Sequence, residues 1–234
     1  MFGLGKLMRS VRKIGEKFAP TKIAEKVSSL ISGNAKPGGA QLSPEESELK
    51  TMNEESYKKP EDRKDNVGGY HLDRSASNDE YAAYVNDSEK KVRHIHRGTA
   101  SMSDVLDDVS VLVGNDRNTG KMKRHSKYFA ETSQKYSGYS GSHSGHSLGG
   151  LVARRLGKDS NQKSTTFNEA VGFSSEDRKD AKRCSMMGRP AFCNSHTNVR
   201  TSGDVVSAMA GGYGKSKVFK GKGGVLAQHK LSNF

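Results

Sequence analysis

The chain of 234 residues carries 39 Lys and Arg against 26 Asp and Glu, which gives a formal net charge of +13. A surface of that charge favours anionic partners, either lipid headgroups or nucleic acid. The sequence has no run of about eighteen apolar residues, so no membrane-spanning helix is expected. Apolar residues make up only 32% of the chain, so part of it is not expected to contribute to a core.

Cys184 and Cys193 are the two cysteines of the chain, and they bracket a short loop. Two cysteines do not make a disulfide framework, so free thiols in a reducing compartment are the expectation. The two residues could pair if the protein were exported.

Residues 1–32 have apolar side chains at every third or fourth position, with basic side chains on the remaining arc. The first apolar positions are Phe2, Leu4, Leu7, Val11, Ile14 and Phe18. This pattern predicts a basic amphipathic helical segment, which suits an anionic membrane surface. The same periodicity would serve a helix packed on the protein's own core or on a partner, so both interpretations stay open.

Residues 33–66 are rich in Gly, Pro, Ser, Glu and Lys. This composition predicts a flexible linker that is partly helical at most. The folded domain is therefore predicted to span residues 67–234.

Strand and helix patterns alternate along that domain. Residues 81–85 and 91–96 predict two strands joined by a turn. Further predicted elements are helices near 103–114, 128–136 and 148–157, and strands near 139–144, 164–167 and 197–200. The alternation predicts an α/β domain with a mostly parallel sheet flanked by helices, preceded by the amphipathic helical extension.

The segment Gly145-His146-Ser147-Leu148-Gly149 fits the pattern G-x-S-x-G. In that pattern a serine is held on a tight turn between a strand and a helix, where its hydroxyl can act as a nucleophile. The positions two before and two after the serine must be small, because its backbone is strained and has little room. Residues 139–144 are polar, whereas a central strand buried on both faces should be rich in Val and Ile.

Four separated blocks of the chain resemble those of the fungal-type (class 3) lipases of the α/β-hydrolase group, in the same order. The blocks are Arg97-Gly98-Thr99 followed by Asp104 and Asp108, Gly145 to Gly150, Thr166-Phe167-Asn168, and Asp204-Val205-Val206. The resemblance implies a lipase or phospholipase A that cleaves acyl esters of lipids and uses no metal or organic cofactor. Asn168 stands where the family has glycine, which is one departure from its pattern.

The chain order of the catalytic residues in this architecture is serine, acid, histidine. Only His196 and His229 follow Ser147, and only His229 follows Asp204. Asp204 is preferred as the acid because it lies just beyond a predicted strand end, where such folds place their catalytic loops. The other acidic stretch, from Glu176 to Arg183, is interpreted as a solvated helix. 

These residues have distinct predicted roles. Ser147 attacks the ester carbonyl, His229 takes the serine proton and returns it to the leaving alcohol, and Asp204 orients the imidazole. The backbone N–H of Leu148 is one predicted donor to the oxyanion, and Thr99 is the other, as the resemblance implies. An alternative interpretation makes His229 a surface histidine near a frayed C-terminus.

Asp104 and Asp108 are interpreted as structural residues that cap a helix or pair with Arg97. The pairs His143-x-x-His146 and His94-x-His96 have no carboxylate or Cys at ligand spacing, so no metal site is predicted.

The expected partners are a lipid substrate and an anionic membrane surface bound through residues 1–32. The expected location is cytoplasmic or peripheral at a membrane, or in a virion. One competing function is a catalytically inactive, lipase-like protein that binds membranes or serves as a structural component of a virion. The charge would also suit a nucleic-acid binder, but the aromatic residues are not interleaved with Lys and Arg in a recognisable module, so no specific nucleic acid is expected.

Overall fold

The computed structural model describes residues 41–99, 120–170, 175–184, 186, 190–208, 213–223 and 227–234. The predicted amphipathic segment 1–32 and the predicted helix near 103–114 lie outside these ranges. None of the helices within the ranges combines the length and the apolar character that crossing a bilayer requires.

Eight strands form one mixed sheet, and their order across the sheet is their order along the chain. They are β1 (Asn66–Val67), β2 (Tyr70–Asn78), β3 (Tyr81–Asn86), β4 (Lys91–His96), β5 (Ser140–His146), β6 (Lys163–Phe167), β7 (His196–Thr201) and β8 (Lys215–Phe219). The pairs from β1 to β4 are antiparallel, and the pairs from β4 to β8 are parallel. The predicted α/β class is confirmed, with a sheet that is parallel only in the half that carries the serine segment.

Helices cover both faces of this sheet. They are α1 (Pro44–Ser56), α2 (Gly120–Lys135), α3 (Leu148–Asp159), α4 (Ser175–Cys184), α5 (Ala191–Asn194) and α6 (Val205–Ala208), with 3-10 turns at Pro60–Asp62, Ala227–His229 and Leu231–Asn233. Neighbouring side chains of a strand point to opposite faces. Ser144 of β5 bonds to Asn53 of α1, whereas His143 packs on Phe129 of α2. Helix α1 therefore lies on one face, and α2 on the other.

Helix α1 corrects the prediction of a flexible linker over residues 33–66. Ser43 and Glu46 form a capping box, in which each side chain accepts a hydrogen bond from the other residue's backbone N–H. Leu49 and Met52 lie three residues apart on one helix face, and both are buried in the main hydrophobic core. The folded domain therefore begins upstream of the predicted boundary. The composition of residues 33–66 did not predict the helix, because two apolar side chains are enough to pack it against the core.

Strand β5 lies inside the sheet although its sequence is polar. The hydroxyl of Ser144 donates to the backbone carbonyl of Thr165 and accepts from the amide of Asn53, both at 2.7 Å. His143 on the other face bonds to His96 at 3.0 Å. Because these buried polar groups are paired, most of the cost of removing them from water is offset.

Helix α4 is held to α3 by buried charges, so the interpretation of this acidic stretch as solvated is wrong. Arg154 donates to Glu169 at 2.5 Å and to Asp177 at 3.0 Å, and Arg155 also bonds to Asp177. All four side chains are at most 4% exposed. Charged groups are buried at acceptable cost only when they are paired. The local sequence shows the charges but not their partners on α3.

A disulfide joins Cys184 at the end of α4 to Cys193 in α5, so the expectation of free thiols is wrong. Their Cα atoms lie 5.5 Å apart, within the range of disulfides. The expectation of a reducing compartment was inferred from free thiols, so it no longer has support once the two cysteines are bonded.

Candidate active site

Ser147 stands between the carboxyl end of β5 and the first residue of α3. Its φ of 56° and ψ of −127° lie in a region that is strained for any residue except glycine. A Cβ on Gly145 would lie 2.1 Å from the carbonyl oxygen of Gly149, and a Cβ on Gly149 would lie 2.0 Å from that of His96. Only glycine fits either position, and this is the strand-turn-helix geometry that the motif predicts.

Asp204 and His229 are joined by a hydrogen bond. The Nδ1 atom of His229 lies 2.9 Å from Oδ1 of Asp204, and both side chains are at most 1% exposed. The backbone N–H groups of Val206 and Ser207 donate to the same carboxylate, each at 3.1 Å. A carboxylate only accepts, so Nδ1 of His229 carries a proton, and in the neutral ring Nε2 then has a free lone pair.

The segment around His229 is held firmly in place. Leu231 is buried in the main core, and the ring of Phe234 packs on Phe167 with centroids 5.6 Å apart. The carbonyl of His229 accepts a hydrogen bond from Asn168 at 3.0 Å. The alternative of a surface histidine near a frayed C-terminus is therefore wrong.

The hydroxyl of Ser147 and the Nε2 atom of His229 are both buried, and neither has a hydrogen-bond partner among the described residues. The two residues are connected through His146, whose Nε2 lies 2.7 Å from the carbonyl oxygen of His229. The rings of His146 and His229 have centroids 4.8 Å apart. A buried donor and a buried acceptor left without partners cost stability, and such a cost is common where groups are kept ready for a reaction.

Gly98, the residue before the predicted oxyanion donor Thr99, lies beside Ser147. A Cβ built on Gly98 would lie 3.3 Å from Cβ of Ser147, and Thr99 directly follows Gly98. Leu148 is the first residue of α3, so its N–H has no acceptor within the helix. Asp104 and Asp108 lie outside the described residues.

Glu169 and His196, an acid just after β6 and a histidine at the start of β7, are bonded to other residues. Burial opposes ionisation of Glu169, but Arg154 and His196 hold its pKa below the usual value. His196 bonds through Nδ1 to the hydroxyl of Ser164 at 2.8 Å, and its Nε2 lies 3.1 Å from Glu169. Glu169 and His196 therefore bond to Arg154 and to Ser164 and contact each other, and this cluster holds the residues directly after β6 in place.

The four histidines His94, His96, His125 and His143 form a buried cluster on the α2 face of the sheet. Burial lowers the pKa of His94 and of His125 to about 3, so both rings are neutral near pH 7. No group of three His, Cys, Asp or Glu side chains in the described ranges is arranged to hold a metal ion. The cluster packs as aromatic rings, and His96 and His143 stack with centroids 5.3 Å apart.

Sequence reasoning missed two side chains of the site. The Tyr57 hydroxyl lies 2.8 Å from Nδ1 of His146, but Tyr57 fell within the predicted linker. His146 was considered only as a spacer of the motif and as a metal ligand, and not as a contact of His229. The capping box at Ser43 was the available signal for Tyr57, since it predicts a helix that brings the following residues onto the sheet.

Three solved fungal lipases are similar to this chain. Lip2 lipase from Yarrowia lipolytica has 15% identity and a TM-score of 0.49, over 78% of this chain and 82% of that one. A triacylglycerol lipase from Penicillium expansum has 14% identity and a TM-score of 0.45, over 83% and 84%. Rhizomucor miehei triacylglyceride lipase has 16% identity and a TM-score of 0.43, over 76% and 81%.

No sequence-family model and no curated protein matches the chain. The mixed sheet flanked by helices, with the serine turn at the carboxyl end of β5, gives this chain an α/β-hydrolase fold.

Proposed function

We propose that this chain is a serine hydrolase that cleaves acyl esters of lipids, as a lipase or a phospholipase A. One observation supports the proposal most strongly. The hydrogen-bonded pair Asp204 and His229 is tied through the His229 carbonyl to His146, the residue before the strained and buried Ser147, and the serine hydroxyl and Nε2 of His229 both lack partners among the described residues.

The reaction then follows from these groups. Ser147 Oγ attacks the acyl carbonyl carbon while its proton passes to Nε2 of His229, and Asp204 stabilises the imidazolium that forms. The oxyanion accepts hydrogen bonds from the N–H of Leu148 and from Thr99. When the intermediate collapses, the alcohol leaves with the proton of His229, and the acyl group remains on Ser147. Water attacks the acyl-enzyme by the same route, with His229 again as the base.

A fluorophosphonate probe is expected to modify the folded chain at a single serine, Ser147. Phosphonylation requires a serine whose proton can be removed by an adjacent base, and a serine without such a base reacts far more slowly. Mass spectrometry of digested protein identifies the modified residue, with urea-unfolded protein as the control. Equal labelling of the folded and the unfolded chain would contradict the proposal, as would an adduct on another serine.

We also propose that residues 1–32 hold the enzyme on anionic membranes, through seven Lys and Arg and the apolar stripe between them. Each basic residue near an anionic surface contributes about 1 kcal/mol. Deleting residues 1–32 is therefore expected to lower binding to phosphatidylserine vesicles by at least about tenfold. Hydrolysis of a soluble short-chain ester should persist, because the core and the proposed triad lie downstream.

Sedimentation with vesicles of graded phosphatidylserine content measures this binding. Vesicles of neutral lipid, and anionic vesicles at high salt, are the controls, since screening weakens the electrostatic part. Unchanged binding of the shortened chain would assign the membrane surface to another part of the protein.

A further inference from the structure

The backbone of His229 is held by the serine turn itself. Its carbonyl oxygen accepts from Nε2 of His146 at 2.7 Å and from Nδ2 of Asn168 at 3.0 Å. A carbonyl can only accept, so Nε2 of His146 must carry a proton. The placement of His229 therefore depends on the protonation of a histidine that contacts no substrate in the proposed reaction.

The Tyr57 hydroxyl and the His229 carbonyl together determine which nitrogen of His146 carries the single proton of the neutral ring. Burial lowers the pKa of His146 to about 3, so the ring is neutral in the working range. The hydroxyl of Tyr57 lies 2.8 Å from Nδ1 of His146 and donates to it, which leaves the proton on Nε2. With the opposite tautomer, the lone pair of Nε2 would face the carbonyl oxygen of His229.

The same phenol oxygen also contacts Gly98 in the segment Gly98-Thr99, which we call the oxyanion turn. The contact is close, because a Cβ on Gly98 would lie 2.5 Å from this oxygen. Burial raises the pKa of Tyr57, so the hydroxyl keeps its proton and remains a donor.

We infer that Tyr57 and His146 are positioning residues, and that the hydroxyl of Tyr57 fixes the His146 tautomer that holds the His229 backbone in register with Ser147 and the oxyanion turn. The inference rests on the proposed function, because it assigns these residues to the reaction of Ser147. Neither side chain touches a reacting atom. They act through the carbonyl of His229 and through the contact of the Tyr57 hydroxyl with Gly98.

The first test is Tyr57→Phe, which removes one oxygen and keeps the ring. We expect kcat for a soluble ester to fall about tenfold, because a small misplacement of the base slows proton transfer. KM should stay within about twofold, since no substrate contact changes. Tyr136→Phe is the matched control. It removes a hydroxyl that bonds to Asp73 at 2.7 Å, away from the site, and should lower the melting temperature without changing kcat.

The second test is a double-mutant cycle with His146→Gln. A glutamine side chain has a permanent NH₂ donor and no tautomers to choose between. It can therefore donate to the His229 carbonyl without help from the Tyr57 hydroxyl. Tyr57→Phe is therefore expected to change kcat less than twofold in the His146→Gln background. Equal tenfold losses in both backgrounds, or an unchanged kcat of Tyr57→Phe alone, would overturn the inference.

Ring 15N NMR separates this inference from the proposed function. His146 is expected to be protonated on Nε2 in the unaltered chain and to populate both tautomers in Tyr57→Phe. Protonation on Nδ1 in the unaltered chain would overturn the inference even if the protein is an active esterase. If the unaltered chain shows the expected tautomer but hydrolyses no ester, the proposed function fails and the tautomer assignment stands.

Discussion

Replacing Ser147 by alanine is expected to lower kcat for ester hydrolysis by roughly 10⁶-fold, because the nucleophile and the proton that His229 accepts are lost together. The stability of the fold should hardly change. The hydroxyl of Ser147 has no partner among the described residues, so its removal breaks no hydrogen bond. Steady-state hydrolysis of a short-chain ester and thermal unfolding measure the two effects.

Ser144→Ala is the matched control, and the opposite result is expected for it. The Ser144 hydroxyl has two buried hydrogen bonds, so its loss should cost about 1–3 kcal/mol of unfolding free energy and leave kcat nearly unchanged. Binding of Ser147→Ala to anionic vesicles should equal that of the unaltered chain. If the unaltered chain and Ser147→Ala hydrolyse esters equally slowly, the competing function, an inactive lipase-like protein that binds membranes or serves as a structural component, is favoured instead.

The serine turn could be predicted from sequence because its requirements are local. Gly145 and Gly149 lie within two residues of Ser147, and the clash that excludes other side chains arises within that short segment and its contact with β4. The hairpin of β3 and β4 was predicted for the same reason, since its strands pair across a short turn. The order of Ser147, Asp204 and His229 then followed from the architecture.

The parts that were missed depend on partners distant in sequence. Asn53 of α1 is fully buried and bonds to Ser144, 91 residues away, so its burial cannot be read from the helix alone. Asp177 is buried by arginines of α3, and an isolated acidic stretch is more often solvated. Strand β8 has the sequence Lys-Ser-Lys-Val-Phe and lies at the sheet edge, where none of its residues is buried, and its composition is that of a loop.

The contact between the oxyanion turn and Ser147 is a further long-range feature. Gly98 meets both Tyr57 and Ser147, which come from separate parts of the chain. The resemblance predicts that Thr99 lies near the serine, but only the packed structure shows why position 98 is a glycine. A side chain there would displace the Tyr57 hydroxyl, and with it the hydrogen bond to His146.

Replacing Asp204 by asparagine is expected to lower kcat by about 10⁴-fold with little change in KM. The carboxylate accepts from His229 and Val206 on Oδ1 and from Ser207 on Oδ2. An asparagine has only one acceptor oxygen. If its NH₂ faces His229, the imidazole must move its proton to Nε2 and can no longer act as the base. If its NH₂ faces Ser207, two donors oppose each other and the turn is strained.

Asp73→Asn provides the control for Asp204→Asn. Asp73 is another buried carboxylate, which accepts from Lys135 at 2.6 Å and from Tyr136 at 2.7 Å where α2 meets β2. Its replacement should reduce the unfolding free energy, because a buried partner of a lysine is lost, and should leave kcat within about twofold. A kcat of Asp204→Asn within tenfold of the unaltered chain would show that the bond between Asp204 and His229 orients the segment without serving the reaction. In that case His229 would have to hold its reactive tautomer by other contacts, and the assignment of Asp204 as the triad acid would be lost.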